Sequence, residues 1–318
     1  MAAIEIQSLT KQYGSLHAVD DLDLRVEHGE VFGFLGPNGA GKSTTINVLI
    51  DFVRRTSGEV RVLGHDPEQE PQAVRARTGV LTENAGFNDR DTARRHLRFA
   101  IAMRDADDDP DALLERVGIS DAADRPVGGF SAGMRQRLSL AIALVGAPDL
   151  LILDEPLRGL DPAGARRLRE IVCAERDRGS AVFFSSHIMS QVETICDRVG
   201  IMHDGRLVAA DAVETLREQT GDPVELICTV EASADEVATA LAPVDGVGPV
   251  TGGNDTVRVV CERPKTKAAV VARLENAGIR VHDFAVEGGS LESVFRSLTG
   301  GAASVRDDST PGGSTANR

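Results

Sequence analysis

Gly36-Pro37-Asn38-Gly39-Ala40-Gly41-Lys42-Ser43 is the stretch from which the rest of the chain can be read. Before it lies a short apolar run, Val31 to Leu35, suited to a buried strand. After it, Ile46, Leu49, Ile50 and Val53 recur at the spacing of one helical face, which predicts a helix running through Val53. A glycine-rich turn between strand and helix can aim several backbone N–H groups at phosphate oxygens, and the helix N-terminus adds a favourable dipole. In such a loop Lys42 reaches the β- and γ-phosphates, Ser43 offers a hydroxyl to magnesium, and Thr44 belongs to the same phosphate-facing turn.

A second stretch, Leu150-Leu151-Ile152-Leu153-Asp154-Glu155, is an apolar strand ending in two carboxylates. Taken alone, that pattern also describes an ordinary solvated sheet edge. A phosphate loop upstream gives the pair a chemical role, with Asp154 in the magnesium shell and Glu155, one residue further out, polarising the attacking water. General-base help of this kind contributes about 10²–10⁴ in rate.

A third stretch names a family. Phe130-Ser131-Ala132-Gly133-Met134-Arg135-Gln136-Arg137 resembles the signature sequence of the ABC ATPases, usually Leu-Ser-Gly-Gly-Gln, with departures at Phe130, Ala132 and Met134. The resemblance covers about residues 4–217, with the motifs in the family's order. It implies an α/β P-loop NTPase of ABC ATPase type: a mixed sheet core with a helical subdomain at about 84–146. Ser131, Ala132 and Gly133 would close the site of an opposite subunit, so that two chains, identical or related, sandwich two Mg·ATP. Tyr13, the sole tyrosine, matches the aromatic that stacks on adenine. Gly159-Leu160-Asp161 matches the loop that crosses the dimer interface. His187, after Phe183-Phe184-Ser185-Ser186, matches the switch histidine that contacts the γ-phosphate and orients water. Glu83 stands where the family usually has glutamine; it can still bind Mg²⁺, but it adds negative charge beside the triphosphate. The cofactors implied are ATP and Mg²⁺. The partner implied is a separate transmembrane permease, contacted near Glu83 to Phe87 and along the following helix, with Phe87 as an exposed aromatic anchor.

Elsewhere, residues 59–63 read as a strand closed by Gly64, and Gly200 to Ala209 as a hairpin turning at Asp204-Gly205. Residues 218–223 read as a linker ending the ATPase domain (1–217). Beyond it, strand 224–230, helix 233–242, strand 256–261, helix 266–276, strand 279–286 and helix 290–298 predict a small C-terminal α/β domain (218–300). Its last helix sets Leu291, Val294, Phe295 and Leu298 on one face. Ser290-Leu291-Glu292-Ser293-Val294-Phe295 resembles the C-terminal extension of ATPases that serve drug-, ion- or polysaccharide-export permeases. Residues 301–318 are rich in Gly, Ser, Thr and Asp and are expected to be disordered.

Composition narrows the class. The chain has 318 residues, 42% of them hydrophobic, enough for one large domain and a small one. Its formal net charge is -14, and lysine occurs only at Lys11, Lys42, Lys265 and Lys267. Two readings fit: solubility in high salt, or arginine-favouring GC-rich coding. Either argues against a nucleic-acid partner, since the pairs Arg54-Arg55, Arg94-Arg95 and Arg166-Arg167 are isolated among acidic neighbours. The cysteines Cys173, Cys196, Cys228 and Cys261 show no ligand spacing, so neither zinc nor a disulfide framework is expected, and a reducing cytosol fits. The first residues carry no basic patch followed by an apolar core, so no signal peptide is expected. The most apolar stretch, Leu138 to Leu153, is broken by Gly146, Pro148 and Asp149. Any membrane role is then peripheral, at the cytoplasmic face. The alternatives are a soluble ABC ATPase acting outside transport, which generally carries two cassettes or a long coiled coil, and a nucleotide-gated module without turnover, which the intact Glu155 and His187 oppose.

Overall fold

The computed structural model describes residues 2–83, 86–219, 223–253, 255–262, 266–287 and 290–299. Expectations for residues 220–222 of the linker and for the tail lie outside them. The chain opens with β1 (Ala2–Tyr13) and β2 (Leu16–Glu27), then β3 (Val31–Leu35), which leads through the glycine loop into α1 (Lys42–Leu49) and β4 (Ser57–Val62). β1, β2 and β4 form an antiparallel sheet of order β2-β1-β4. Next come α2 (Pro71–Arg77), β5 (Thr78–Leu81), and the helices α3 (Ala93–Met103), α4 (Pro110–Val117) and α5 (Ala132–Ala143). Then follow β6 (Leu150–Asp154), α6 (Pro162–Asp177), β7 (Ala181–Ser186), α7 (Met189–Val192), β8 (Arg198–His203), β9 (Arg206–Ala212) and α8 (Val213–Gln219). The second sheet has the order β5-β6-β7-β3-β8-β9; it is parallel throughout except for β9, which returns antiparallel at the edge.

The inner strands of this mixed sheet are buried on both faces, which is why they read as unbroken apolar runs. Phe32, Phe34, Leu150, Ile152 and Phe183 point towards α1 and the three-stranded sheet. Val31, Leu35, Leu151, Leu153, Val182 and Phe184 point the other way, into a core shared with the helical part. Helices start where short polar residues satisfy free N–H groups. Thr92 caps α3, Asp109 caps α4, Ser131 caps α5 and Asp161 caps α6, with Pro110 and Pro162 at the first turns of α4 and α6.

Helix α1 is shorter than its apolar spacing predicts. It ends at Leu49, Asp51 adopts φ 57°, and the N–H groups of Phe52 and Val53 turn back to the Asn47 carbonyl. Ile50 and Val53 still pack on the core from that turn, so the periodicity outlives the helix. Helix α8 likewise runs through Gln219, into the stretch read as linker.

The C-terminal part contributes β10 (Val224–Val230), α9 (Ala234–Leu241), β11 (Val247–Gly252), β12 (Thr256–Cys261), α10 (Thr266–Asn276), β13 (Val281–Glu287) and α11 (Leu291–Leu298). Its sheet is antiparallel, of order β11-β12-β10-β13, with its own core from Val224, Leu226, Val237, Val257, Val259, Val270 and Leu274. β11 is an unforeseen strand; Gly248, Pro249 and Gly252 hide it, and Pro249 is tolerated because β11 lies at an edge. Helix α11 leaves this sheet. Leu291, Val294 and Phe295 join the core beneath the six-stranded sheet, and Phe295 meets His203 edge-on at 5.6 Å.

Phe183 is fully buried, stacked on Phe32 at 5.9 Å between ring centres and tilted on Phe34 at 5.1 Å. Phe183→Ala should lower the unfolding free energy by about 3–5 kcal/mol, read from urea denaturation, because the surrounding sheet cannot close the cavity.

Candidate active site

The glycine loop leaves the end of β3 with Gly36 at φ 155°, Gly39 at 84° and Gly41 at 106°. Two of these positions admit no side chain. A Cβ on Gly36 would lie 2.5 Å from the Met202 carbonyl oxygen, and one on Gly41 would lie 2.4 Å from that of Ala18. The loop is therefore wedged between β8 and the β1–β2 hairpin. Ala40 N–H closes a turn onto Pro37 O at 3.2 Å, and Ala40 O accepts from Gly205 N–H at 3.1 Å.

Lys42 opens α1 and is buried. Its ammonium donates to the loop's own carbonyl oxygens, Gly36 at 2.7 Å and Pro37 at 3.1 Å. Burial pushes Lys42 below its ordinary value, while the carboxylates of Glu155, Asp154 and Glu83 pull it back up. A cation held this way is partly desolvated and surrounded by negative charge, and a phosphate is the partner that suits it.

Strand pairing supplies the carboxylates. Asp154 and Ser185 are register partners in the parallel pair β6–β7. Ser185 Oγ donates to Asp154 Oδ1 at 2.5 Å and accepts from Glu155 N–H at 3.0 Å. Glu155 then turns out of the strand with φ 48°, a left-handed conformation that a glutamate adopts only when its surroundings hold it there. His187, just past the end of β7, stands with Nδ1 2.9 Å from Glu155 Oε2. An ionised carboxylate only accepts, so the imidazole proton of this contact sits on Nδ1.

Lys42, Glu155 and His187 face one cavity of about 870 Å³, within the span usual for small-molecule sites, while Asp154 and Ser185 are buried and do not line it. Asn38, Gly39, Gly41, Lys42, Ser43 and Thr44 form its floor, with Gly36, Pro37 and Ala40 shaping the loop behind them. Glu83, Glu155, Arg158 and His187 form one wall. Tyr13, Leu16, His17 and Ala18 also line it; Tyr13 is half exposed, with Lys11 Nζ 4.6 Å from its ring centre. Asp204 and Gly205 reach the cavity from the β8–β9 turn. Leu16, His17, Arg158 and that turn carry no motif, and only the fold brings them here.

Magnesium is the metal that the family implies. Ser43 on the floor, Asp154 at the strand end and Glu83 on the wall are oxygen donors. Among the described residues no group of three or more His, Cys, Asp or Glu could hold a metal unaided. That donor set fits Mg²⁺, which keeps its waters and shares phosphate oxygens more readily than it enters an all-protein cage.

Ser131, Ala132 and Gly133 do not line this cavity. Ser131 Oγ accepts from Met134 N–H at 3.2 Å as the α5 cap, and a Cβ on Gly133 would lie 2.8 Å from the Gly159 carbonyl. Asp161 is also away from the cavity. It caps α6 through Gly164 N–H at 2.8 Å and accepts from Arg137 at 2.6 Å, and these contacts hold its carboxyl below the usual range. Phe87 is not the exposed anchor expected of it. It is half-buried against the helical core, edge-on to His96 at 5.2 Å. The exposed apolar side chains of that region are Phe99 and Met103, one helical turn apart on α3.

A strand-loop-helix phosphate cradle beside a strand that ends in Asp-Glu defines a P-loop nucleotide hydrolase. Comparison with known proteins is more specific. The family model for ABC transporter proteins matches residues 19–158. The daunorubicin resistance ATP-binding protein DrrA3 of Streptomyces coeruleorubidus is 35% identical over 311 residues, spanning 96% of this chain and 98% of that protein. The bacitracin transport ATP-binding protein BcrA of Bacillus licheniformis is 39% identical over 68% of this chain and 72% of its own length. A solved ATP-binding subunit of an ABC transporter superposes with a TM-score of 0.64 at 29% identity, covering 69% of this chain and 93% of that one. The chain belongs to the ABC transporter ATP-binding proteins, and it is an ATP-hydrolysing subunit of that family.

Lys42→Ala should weaken ATP binding by at least about tenfold, because it removes the one buried cation of the floor. Titration of a fluorescent ATP analogue checks this, and unchanged affinity would refute the role given to the loop.

Proposed function

We propose that this chain binds Mg·ATP on the loop Gly36–Thr44 and hydrolyses it to drive a separate membrane permease in the direction of export. The observation that carries the catalytic part is the His187–Glu155 contact beside Lys42 in one cavity. Glu155 is held by Ser185 through its backbone and by His187 through its carboxylate. It can accept a proton from water attacking the γ-phosphate while the imidazole keeps it aimed. Tyr13 offers a ring face to adenine, and Ser43 with Asp154 would hold Mg²⁺, whose charge draws electrons from the phosphate oxygens. Glu83 stands on the same wall.

The dimer expectation has support in what the cavity lacks. Ser131, Ala132 and Gly133 sit at a helix N-terminus that does not face the chain's own Lys42, so they are available to a phosphate bound by a second copy or a close relative. ATP then bridges two subunits, and hydrolysis releases them. Asp161 and Arg137 tie the signature helix α5 to α6 and move with it.

Export is supported by a fluoroquinolones export ATP-binding protein of Mycobacterium tuberculosis, 38% identical over 67% of this chain and 72% of that protein, and transport by the bacitracin transport ATP-binding protein named above. Among the described residues no helix is long and apolar enough to cross a membrane. The chain would therefore sit against the permease at the cytoplasmic membrane face. Phe99 and Met103 on α3 make a candidate contact there, and substrate choice would rest with the permease. Residues 1–217 form the ATPase domain in this reading, with a helical subdomain at 84–146, and residues 218–300 the C-terminal domain.

Glu155→Gln should keep ATP binding within about threefold and cut turnover by about 10² or more. Phosphate release measured beside ATP binding tests it, and wild-type turnover would remove Glu155 from its role. Phe99→Glu should leave ATP binding unchanged and abolish co-purification with the permease from detergent-solubilised membranes; retained co-purification would place the contact elsewhere.

A further inference from the structure

The cavity wall holds an ion pair that no motif foretells. Arg158 Nη1 meets Glu83 Oε1, and both residues line the nucleotide cavity. Residue 83 follows β5, and residue 158 lies on the turn between Glu155 and Gly159, where Arg158 N–H donates to Glu155 O at 3.1 Å. The pair therefore spans two segments that the edge strand β5 and its neighbour β6 deliver side by side. At an ordinary surface such a contact contributes little. Here it lies where charge matters. Lys42 and Arg158 are the only Lys or Arg among the described residues lining the cavity, against the carboxylates of Glu83, Glu155 and Asp204. A triphosphate adds several more negative charges.

We propose that Arg158 is a positioning residue for nucleotide binding, holding the Glu83 carboxylate in a neutral pair so that the phosphates meet no uncompensated charge from residue 83. The pair as a unit carries the same net charge as a single neutral side chain would, which is how a glutamate is tolerated beside a triphosphate. The effect acts on the binding of anionic nucleotide before it acts on chemistry. It is largest when no divalent cation is present to neutralise either the phosphates or Glu83.

The inference rests on the reading of Gly36–Thr44 as the nucleotide loop, and one experiment separates the two. A fluorescent ATP analogue is titrated into the full-length chain and its Arg158→Ala, Arg158→Lys, Glu83→Gln and Arg158→Ala/Glu83→Gln variants, with EDTA and with magnesium. Arg158→Ala should weaken binding about tenfold in EDTA and less with magnesium, so that the magnesium dependence of affinity rises. Arg158→Lys, which keeps the charge, should lose less than about threefold, and adding Glu83→Gln to Arg158→Ala should restore affinity to within about threefold of wild type. Arg158→Ala within about twofold of wild type in EDTA, or a loss that Glu83→Gln fails to reverse, would overturn the proposal while leaving the loop intact. A wild-type chain that binds no nucleotide would instead refute the loop itself, and this inference with it.

Discussion

Three parallel strands, β3, β7 and β6, end side by side, and their register brings the chemistry to one place. Leu35 pairs with Ser186, and Asp154 pairs with Ser185, so the glycine loop, the histidine turn and the two carboxylates all leave the sheet at one edge. None of these segments could hold its functional geometry alone. The loop needs the Met202 and Ala18 backbones behind it, and Glu155 needs Ser185 to fix a left-handed turn. The double burial of Phe32, Phe34 and Phe183 on one face and of Leu151, Leu153 and Phe184 on the other makes that register rigid. A slip by one residue would exchange the two faces and scatter the site.

Much of this was readable in the sequence because the chemistry uses short, ordered stretches. The loop 36–43, the strand end at Asp154-Glu155 and the histidine after β7 are each local patterns, and the loop, Glu155 and His187 reach the cavity, with Asp154 buried one residue before Glu155. What stayed hidden is tertiary. Arg158 and Glu83 are far apart in the chain, and only the pairing of β5 with β6 makes them neighbours. Asp204 reaches the pocket from a hairpin whose turn could be recognised but whose direction could not, and His17 from a hairpin, β1–β2, that carried no recognised turn. Phe87 and Phe99 show the same limit on a smaller scale. The family resemblance pointed to a contact surface there with Phe87 as its exposed anchor, but that half-buried ring packs on His96, while the exposed ring lies further along α3.

The last helix of the C-terminal part packs on a different core from the sheet that precedes it. That sheet has its own core, yet α11 crosses back to pack beside α7 and α8, with Leu291 N–H donating to Glu193 at 2.5 Å. Glu193 is also paired with Arg217 of α8. Sequence periodicity sets Leu291, Val294, Phe295 and Leu298 on one face; the first three enter the core while Leu298, in the last turn, stays exposed, and periodicity cannot say which core that face enters. Helix α7 follows His187 within two residues, so α11, which packs on α7, lies close to the cavity wall that His187 lines.

Where a nucleotide sits decides the role of the loop. A crystal structure grown with a non-hydrolysable ATP analogue and magnesium should show Lys42 Nζ turned from the Gly36 and Pro37 carbonyls to phosphate oxygens. Ser43 should stand at the metal, and the Ser131 end of a second chain should close over the γ-phosphate. A nucleotide bound elsewhere, or Lys42 still bonded to its own loop with no phosphate in reach, would contradict it.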